Sequence, residues 1–251
     1  MVLYEYPFNE GIRTMLRLEH LFERLDTLAG RDDPIDHHFA LATMFEIVDV
    51  ASRADLKSDL LKDLERHRGQ LAAYRGHPGV QEAVLDEVIG RIEQALHDLN
   101  QMQGKAGQSL AGHEFLMGIR SRISIPGGTC EFDLPAYYAW QQLDAARRHA
   151  DLSGWMSTLA PMSRAIRLLT ALMRDGGTPQ RMVATAGQYQ QSLPTQRSYQ
   201  MLRLRMDLGD GLVPEIAAHR LMVSVRIMRA DAEGRLRPAA VDTPFELTLC
   251  S

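Results

Sequence analysis

Ile123-Ser-Ile-Pro-Gly-Gly-Thr-Cys-Glu-Phe-Asp-Leu-Pro-Ala-Tyr-Tyr-Ala-Trp140 is the stretch on which the fold turns. Nearly every segment before it has helical periodicity, and after it helices give way to alternating strands. Pro126 fixes its own φ, while Gly127 and Gly128 tolerate the positive φ that a tight turn demands. Asp133 reads as the N-cap of a helix whose first turn holds Pro135. On these residues alone the stretch is a rigid connector that launches a helix.

Upstream, Val2 to Tyr6 alternates like a short strand and ends at Pro7. Asn9 is placed to cap a helix in which Ile12, Met15, Leu18, Phe22 and Leu25 recur at helical spacing. Arg13, Arg17, His20 and Arg24 form a basic ridge on another face of it. A second helix starts at Asp36 and turns Leu41, Met44, Phe45 and Val48 inward. Adjacent residues of a helix point apart, so His37 and His38 read as surface or cap positions rather than a metal pair. Arg53 lies at the next connection. Two long helices follow, about 55–74 and 80–103, joined through His77-Pro78-Gly79 into an antiparallel hairpin. Leu56, Leu60, Leu64 and Leu71 line the first; Leu85, Val88, Ile89, Ile92, Leu96 and Leu99 line the second. The glycine-containing break at 104–112 marks a boundary, and a short helix over about 114–122 leads into the central stretch.

Downstream, a helix over about 161–174 places Ile166, Leu169, Leu172 and Met173 inward and ends at Gly176-Gly177. Strands then dominate. Leu202, Leu204 and Met206 share one face and Arg203 and Arg205 the other; Leu221, Val223, Val225 and Ile227 oppose Met222, Ser224 and Arg226. Phe245, Leu247 and Leu249 face the core from a last strand, and the connections suit an antiparallel meander. The predicted class is α+β: a helical domain at 9–112, then helices and an antiparallel sheet at 113–251, which the strand within 1–8 joins.

With 251 residues, 45% hydrophobic and 24% charged, the chain can build an ample folded core. No apolar run approaches 18 residues and no signal peptide opens the chain, so a soluble cytoplasmic protein without membrane insertion is expected. The net charge of −4 is segregated: between Pro161 and Arg229 ten arginines meet four acids, giving +6 there and −10 elsewhere. Such a split suggests a basic surface for an anionic or mixed-charge partner. Lysines and interleaved aromatics are too scarce in it for a clear nucleic-acid signal, although a basic-surface nucleic-acid-binding regulator remains the alternative. No phosphate-binding, nucleophile-elbow or zinc-protease motif occurs, and no metal-ligand spacing stands out. Nothing local supports Cys130 as a nucleophile with His113 or His149 as its base, nor Asp133 as a catalytic acid. The expectation is a binding protein, not an enzyme, with no cofactor and no metal.

Ser-Ile-Pro-Gly-Gly with Cys130, Phe-Asp-Leu-Pro and Trp140 resembles the central block of the ZapD family, bacterial division proteins that bind FtsZ. Pro7, Asn9, Glu10, Arg13, Thr14, Leu16, Arg17 and Glu19 fit that family's opening pattern. Asp59-Leu-Leu-Lys-Asp-Leu64, Gly76-His-Pro-Gly-Val80, and Pro214, Ile216, His219 and Val225-Arg226 follow in the same order, so the resemblance covers essentially the whole chain. It implies a homodimeric, cytoplasmic factor at the mid-cell division site that binds the C-terminal tail of FtsZ and bundles its filaments. Bundling requires two sites per assembly, which a symmetric dimer supplies without an internal repeat. A tail with apolar anchors and mixed charge calls for an apolar floor ringed by arginines, whose planar forks hold carboxylates and carbonyls. Arg17, Arg203, Arg205 and Arg226 are the expected members, with Arg53 and His219 beside them. Glu114 and Tyr138 stand where relatives carry basic residues, which alters that edge of the pocket.

Overall fold

The computed structural model describes residues 1–52, 55–102, 104, 107–207 and 209–251, Asp210 by its backbone only. Helix α1 (Glu10–Ala29) begins where Asn9 Oδ1 accepts the Ile12 N–H at 2.9 Å. Its apolar stripe, Ile12, Met15, Leu18, Phe22 and Leu25, is at most 5% exposed. Each such side chain contributes about 1.5–3 kcal/mol by burial. Helix α2 (Pro34–Ser52) starts before the expected Asp36, because Asp33 Oδ1 accepts the Ile35 N–H at 2.7 Å. It buries residues nearly all round, from Ala40, Leu41 and Met44 to Ile47 and Ala51, as the central helix of its unit. Helices α3 (Leu56–Ala72) and α4 (Glu82–Gln101) form the antiparallel hairpin: Lys57 at the start of α3 donates to the Met102 carbonyl just past α4. Leu71, expected inward, is only partly buried, since the buried row of α3 stops at Leu64.

Helix α5 (Gln108–Ala111) precedes α6 (Glu114–Arg122), and the central stretch then folds into consecutive turns. Gly127 has φ +69°, and a Cβ on Gly128 would stand 2.8 Å from the Arg122 carbonyl oxygen and the Ile125 Cβ, so both glycines are required. Asp133 does not cap the next helix. Leu134 occupies the N-cap position of α7 (Pro135–Gln141), and the Asp133 carboxylate pairs with Arg122 at 3.5 Å. Tyr137 stacks on Trp140 (5.9 Å between centroids), and Trp140 meets Trp155 of α8 (Ala145–Ser157) and Phe115 of α6. The central stretch therefore nucleates an aromatic core. Helix α9 (Ala160–Asp175) follows.

The strands make two sheets rather than one meander. One runs β1 (Val2–Pro7), β4 (Met201–Met206), β8 (Thr243–Cys250), β2 (Gln180–Ala184); the other runs β3 (Gln188–Ser192), β6 (Met222–Ala230), β5 (Leu212–His219), with β7 (Leu236–Pro238) also on β6. All pairs are antiparallel. Leu202, Leu204, Met206, Phe245 and Leu247 of the first sheet share a buried cluster with Val223, Val225 and Ile227 of the second. The β2–β3 turn passes the chain between sheets. There Gly187 has φ +75°, and a Cβ on it would fall 1.9 Å from the Ala239 carbonyl oxygen.

The chain divides into two compact units, Met1–Leu16 with Thr170–Ser251, and Arg17–Leu169. The expected division lay near residue 112. It falls elsewhere because α7 and α8 bond to α2: the Tyr137 hydroxyl meets His38 Nδ1 at 2.8 Å, and Arg148 reaches His37.

Candidate partner-binding surface

The alternation of β4 and β6 decides where the expected site residues stand. Leu202, Leu204 and Met206 fill the core between the sheets, so Arg203 and Arg205 lie on the opposite face of the first sheet. Val223, Val225 and Ile227 fill it from the other side, which puts Arg226 on the outer face of the second sheet. Arg203 and Arg205 are thus separated from Arg226 by the core, and these three do not ring one floor. His219 shares the outer face with Arg226. Its partner is Met222, four residues along β6 from Arg226, a separation of roughly 13 Å along the strand.

Each of these arginines has an acidic neighbour. Arg203 donates to Glu5 at 3.1 Å, and Arg174 holds the same carboxylate through two bonds of 2.8 and 2.7 Å. Arg205 approaches Glu246 at 3.4 Å, and Arg226 pairs with Glu215 at 2.6 Å while its side chain remains 61% exposed. Arg17 is exposed on α1; on the same helix Arg13 pairs with Glu10 and Arg24 with Glu46. Arg53 lies outside the described residues. Arg164 and Arg167 are likewise paired, with Asp98 (2.8 Å) and Asp26 (2.5 Å). Five of the ten arginines of the basic segment thus pair with acids from outside it, and Arg226 with one from within.

Within the helical unit, α1, α8 and α9 enclose a groove of about 530 Å³ that sequence reasoning missed. Its floor is Phe22, Leu25, Leu152 and Met156, and Arg164 and Arg167 stand at its rim. The spacing of those arginines, one helical turn apart on α9, was the available signal. The Arg164 guanidinium holds the Asp98 carboxyl below the usual carboxylate range. Cys130 is partly exposed, whereas His113 lies edge-on to Trp155 at 5.7 Å and His149 is bound to Asp32 at 2.9 Å. Among the described residues no cluster of His, Cys, Asp and Glu could hold a metal ion, and no helix is long and apolar enough to cross a membrane.

A family model described as "Cell division protein", that of ZapD, matches residues 16–226. The chain belongs to the ZapD family. A relative from Ralstonia pickettii (strain 12J), named "Cell division protein ZapD", is 50% identical over 252 residues, covering 100% of both chains. The ZapD match spans the helical unit and ends within β6 at Arg226. A role as a division factor follows from that membership.

Proposed function

We propose that this chain is a non-enzymatic, cytoplasmic division factor that binds the C-terminal tail of FtsZ and, as a homodimer, cross-links FtsZ filaments at mid-cell. The observation that carries this reading is the ZapD match along nearly the whole chain. Of the expected tail-binding residues, Arg226 and Arg17 have the best support: both are exposed, and an incoming carboxylate can exchange with Glu215 at Arg226. Arg205 and His219 come next. Arg203 is the least available, because it shares Glu5 with Arg174 in a partly buried cluster. Pairing of five of the segment's ten arginines with Asp26, Asp98, Glu5 and Glu246 weakens the case for a nucleic-acid-binding regulator.

Co-sedimentation with intact FtsZ and with FtsZ lacking its C-terminal tail tests the proposal. Pelleting with the first and not the second is the expected result. Equal recovery with both moves the contact away from the tail, and recovery with neither removes FtsZ as the partner. Light scattering should give about twice the 28.2 kDa chain mass.

A further inference from the structure

Arg148 of α8 is 5% exposed, yet among the described residues its hydrogen-bond acceptors are three carbonyls and an imidazole rather than a carboxylate. Its Nη1 donates to the carbonyls of Gln141 (3.2 Å) and Leu143, its Nη2 to the carbonyl of Asp32, and its Nε to His37 Nδ1 at 3.0 Å. His37, on α2, is wholly buried, and its Nε2 meets the Arg31 carbonyl. A carbonyl accepts only, so Nε2 must carry the proton; Arg148 donates only, so Nδ1 must offer its lone pair. The ring is therefore held in one neutral tautomer. A second proton has no place: at Nδ1 it would remove an acceptor from a buried guanidinium and set two cations against each other.

The groups facing His37 are Arg148 and His149 from α8, Asp32 and Arg31 from the α1–α2 connection, and Trp140 from α7. The Asp32 carboxylate, bound to His149 Nε2, offsets the conflict only in small part. We propose that His37 and Arg148 form an acid-sensitive latch, which one proton opens by releasing α8 and the α7–α8 turn from the start of α2. The latch bears on the groove as well. His149, Leu152, Ser153 and Met156 of α8 form one wall, and Ala29 and Gly30, next to Arg31, lie in the other.

Burial, first, and the Arg148 charge hold the His37 imidazole below its ordinary pKa; the Arg31 carbonyl and Asp32 oppose them. A histidine depressed in the folded state gives its full stability above its unfolded value, about 6.5. That stability is lost as pH falls from there toward the folded value. Carboxylates titrate two units lower, so the windows are separable. His38 and His67 are also depressed by burial and act in the same direction.

The test therefore compares variants. The thermal midpoint of the full chain is followed from pH 7.5 to 5.0 by the fluorescence of its two tryptophans, Trp140 and Trp155, and proton uptake on unfolding is read from the pH slope. In His37→Gln, whose amide can accept from Arg148 and donate to Arg31 without titrating, uptake near pH 5.5 should fall by up to one proton. Uptake equal to that of the parent overturns the latch. Should the variant not fold, imidazole NMR of the parent decides. His37 keeping its proton on Nε2 and staying neutral below pH 5.5 supports the proposal, and titration near 6.5 overturns it.

Discussion

The helical unit and the sheet unit treat the same side chain in opposite ways. In the helices Arg148 is sealed inside, held by three carbonyls and one imidazole, with its geometry fixed at every donor used. On the second sheet Arg226 lies across a strand from Glu215, more than half exposed, with water to replace any partner it loses. Burial, rather than the number of hydrogen bonds, decides what an arginine is worth to the fold. It also decides what the residue is free to do: only the exposed kind can exchange an internal acid for an external one.

The sharpest way to break this contrast is Arg148→Ala. It strands His37 Nδ1 and three carbonyls in the interior and should cost at least about 3 kcal/mol, read by urea unfolding. A loss under 1 kcal/mol would mean that water reaches the site and that the two kinds of arginine do not differ. Next in size come the backbone positions. Gly187→Val has both a left-handed φ and a carbonyl in its path, and Gly128→Val meets Arg122 and Ile125, so each should cost more than about 2 kcal/mol. A thermal midpoint unchanged in either variant would show that its turn rearranges freely.

Glu5→Gln probes an intermediate case, since its carboxylate serves two arginines and its side chain is 18% exposed. The expected loss is about 1.5–3 kcal/mol by the same unfolding measurement, between the buried joint and the open face. The smallest effect on stability belongs to Arg226→Glu, within about 0.5–1 kcal/mol. If the proposed function holds, its consequence should appear in FtsZ co-sedimentation, as the loss of most bundling with no change in the mass read by light scattering. Arg17→Glu should behave alike. If both fold and bundle like the parent, the tail binds elsewhere.

The helices were legible wherever one face alone is apolar. In α1 and α4 the residues that the 3.6-residue spacing selects are buried, except Val88, which is only partly so; Glu19, Leu21, Ala29 and Ala95 are buried beside them, and Asn9 caps α1 as its chemistry suggests. Helix α8 gave no such signal, because the residues it buries within Ala145–Ser157 are Arg148 and Leu152, one of them a cation. His37 and His38 misled for the same reason: adjacent histidines look like surface, yet a partner more than a hundred residues away takes His37 inside. Among the strands β6 alternates cleanly, and β4 and β8 do so from Leu202 and up to Leu247, beyond which Thr248 is buried and Leu249 only partly so. Strand β3 does not, being Gln188-Tyr-Gln-Gln-Ser192 with Tyr189 as its one apolar residue, and β5 carries Pro214, which its edge position tolerates. The segregation of charge is plain in the sequence, but the pairing that offsets part of it is not, since Glu5, Asp26 and Asp98 lie far along the chain from the four arginines they hold.

Strand β1 pairs with β4 from Val2 opposite Met206 to Pro7 opposite Met201, and β4 in turn needs β8 at residues 243–250. On a ribosome adding about 5–20 residues per second, the first strand emerges roughly 10–40 s before its neighbour exists. Residues 17–169 are contiguous and can fold during that interval. The sheet carrying Arg203 and Arg205 is thus the last part of the molecule to be born, and its opening strand spends the longest time exposed with its ladder unmade.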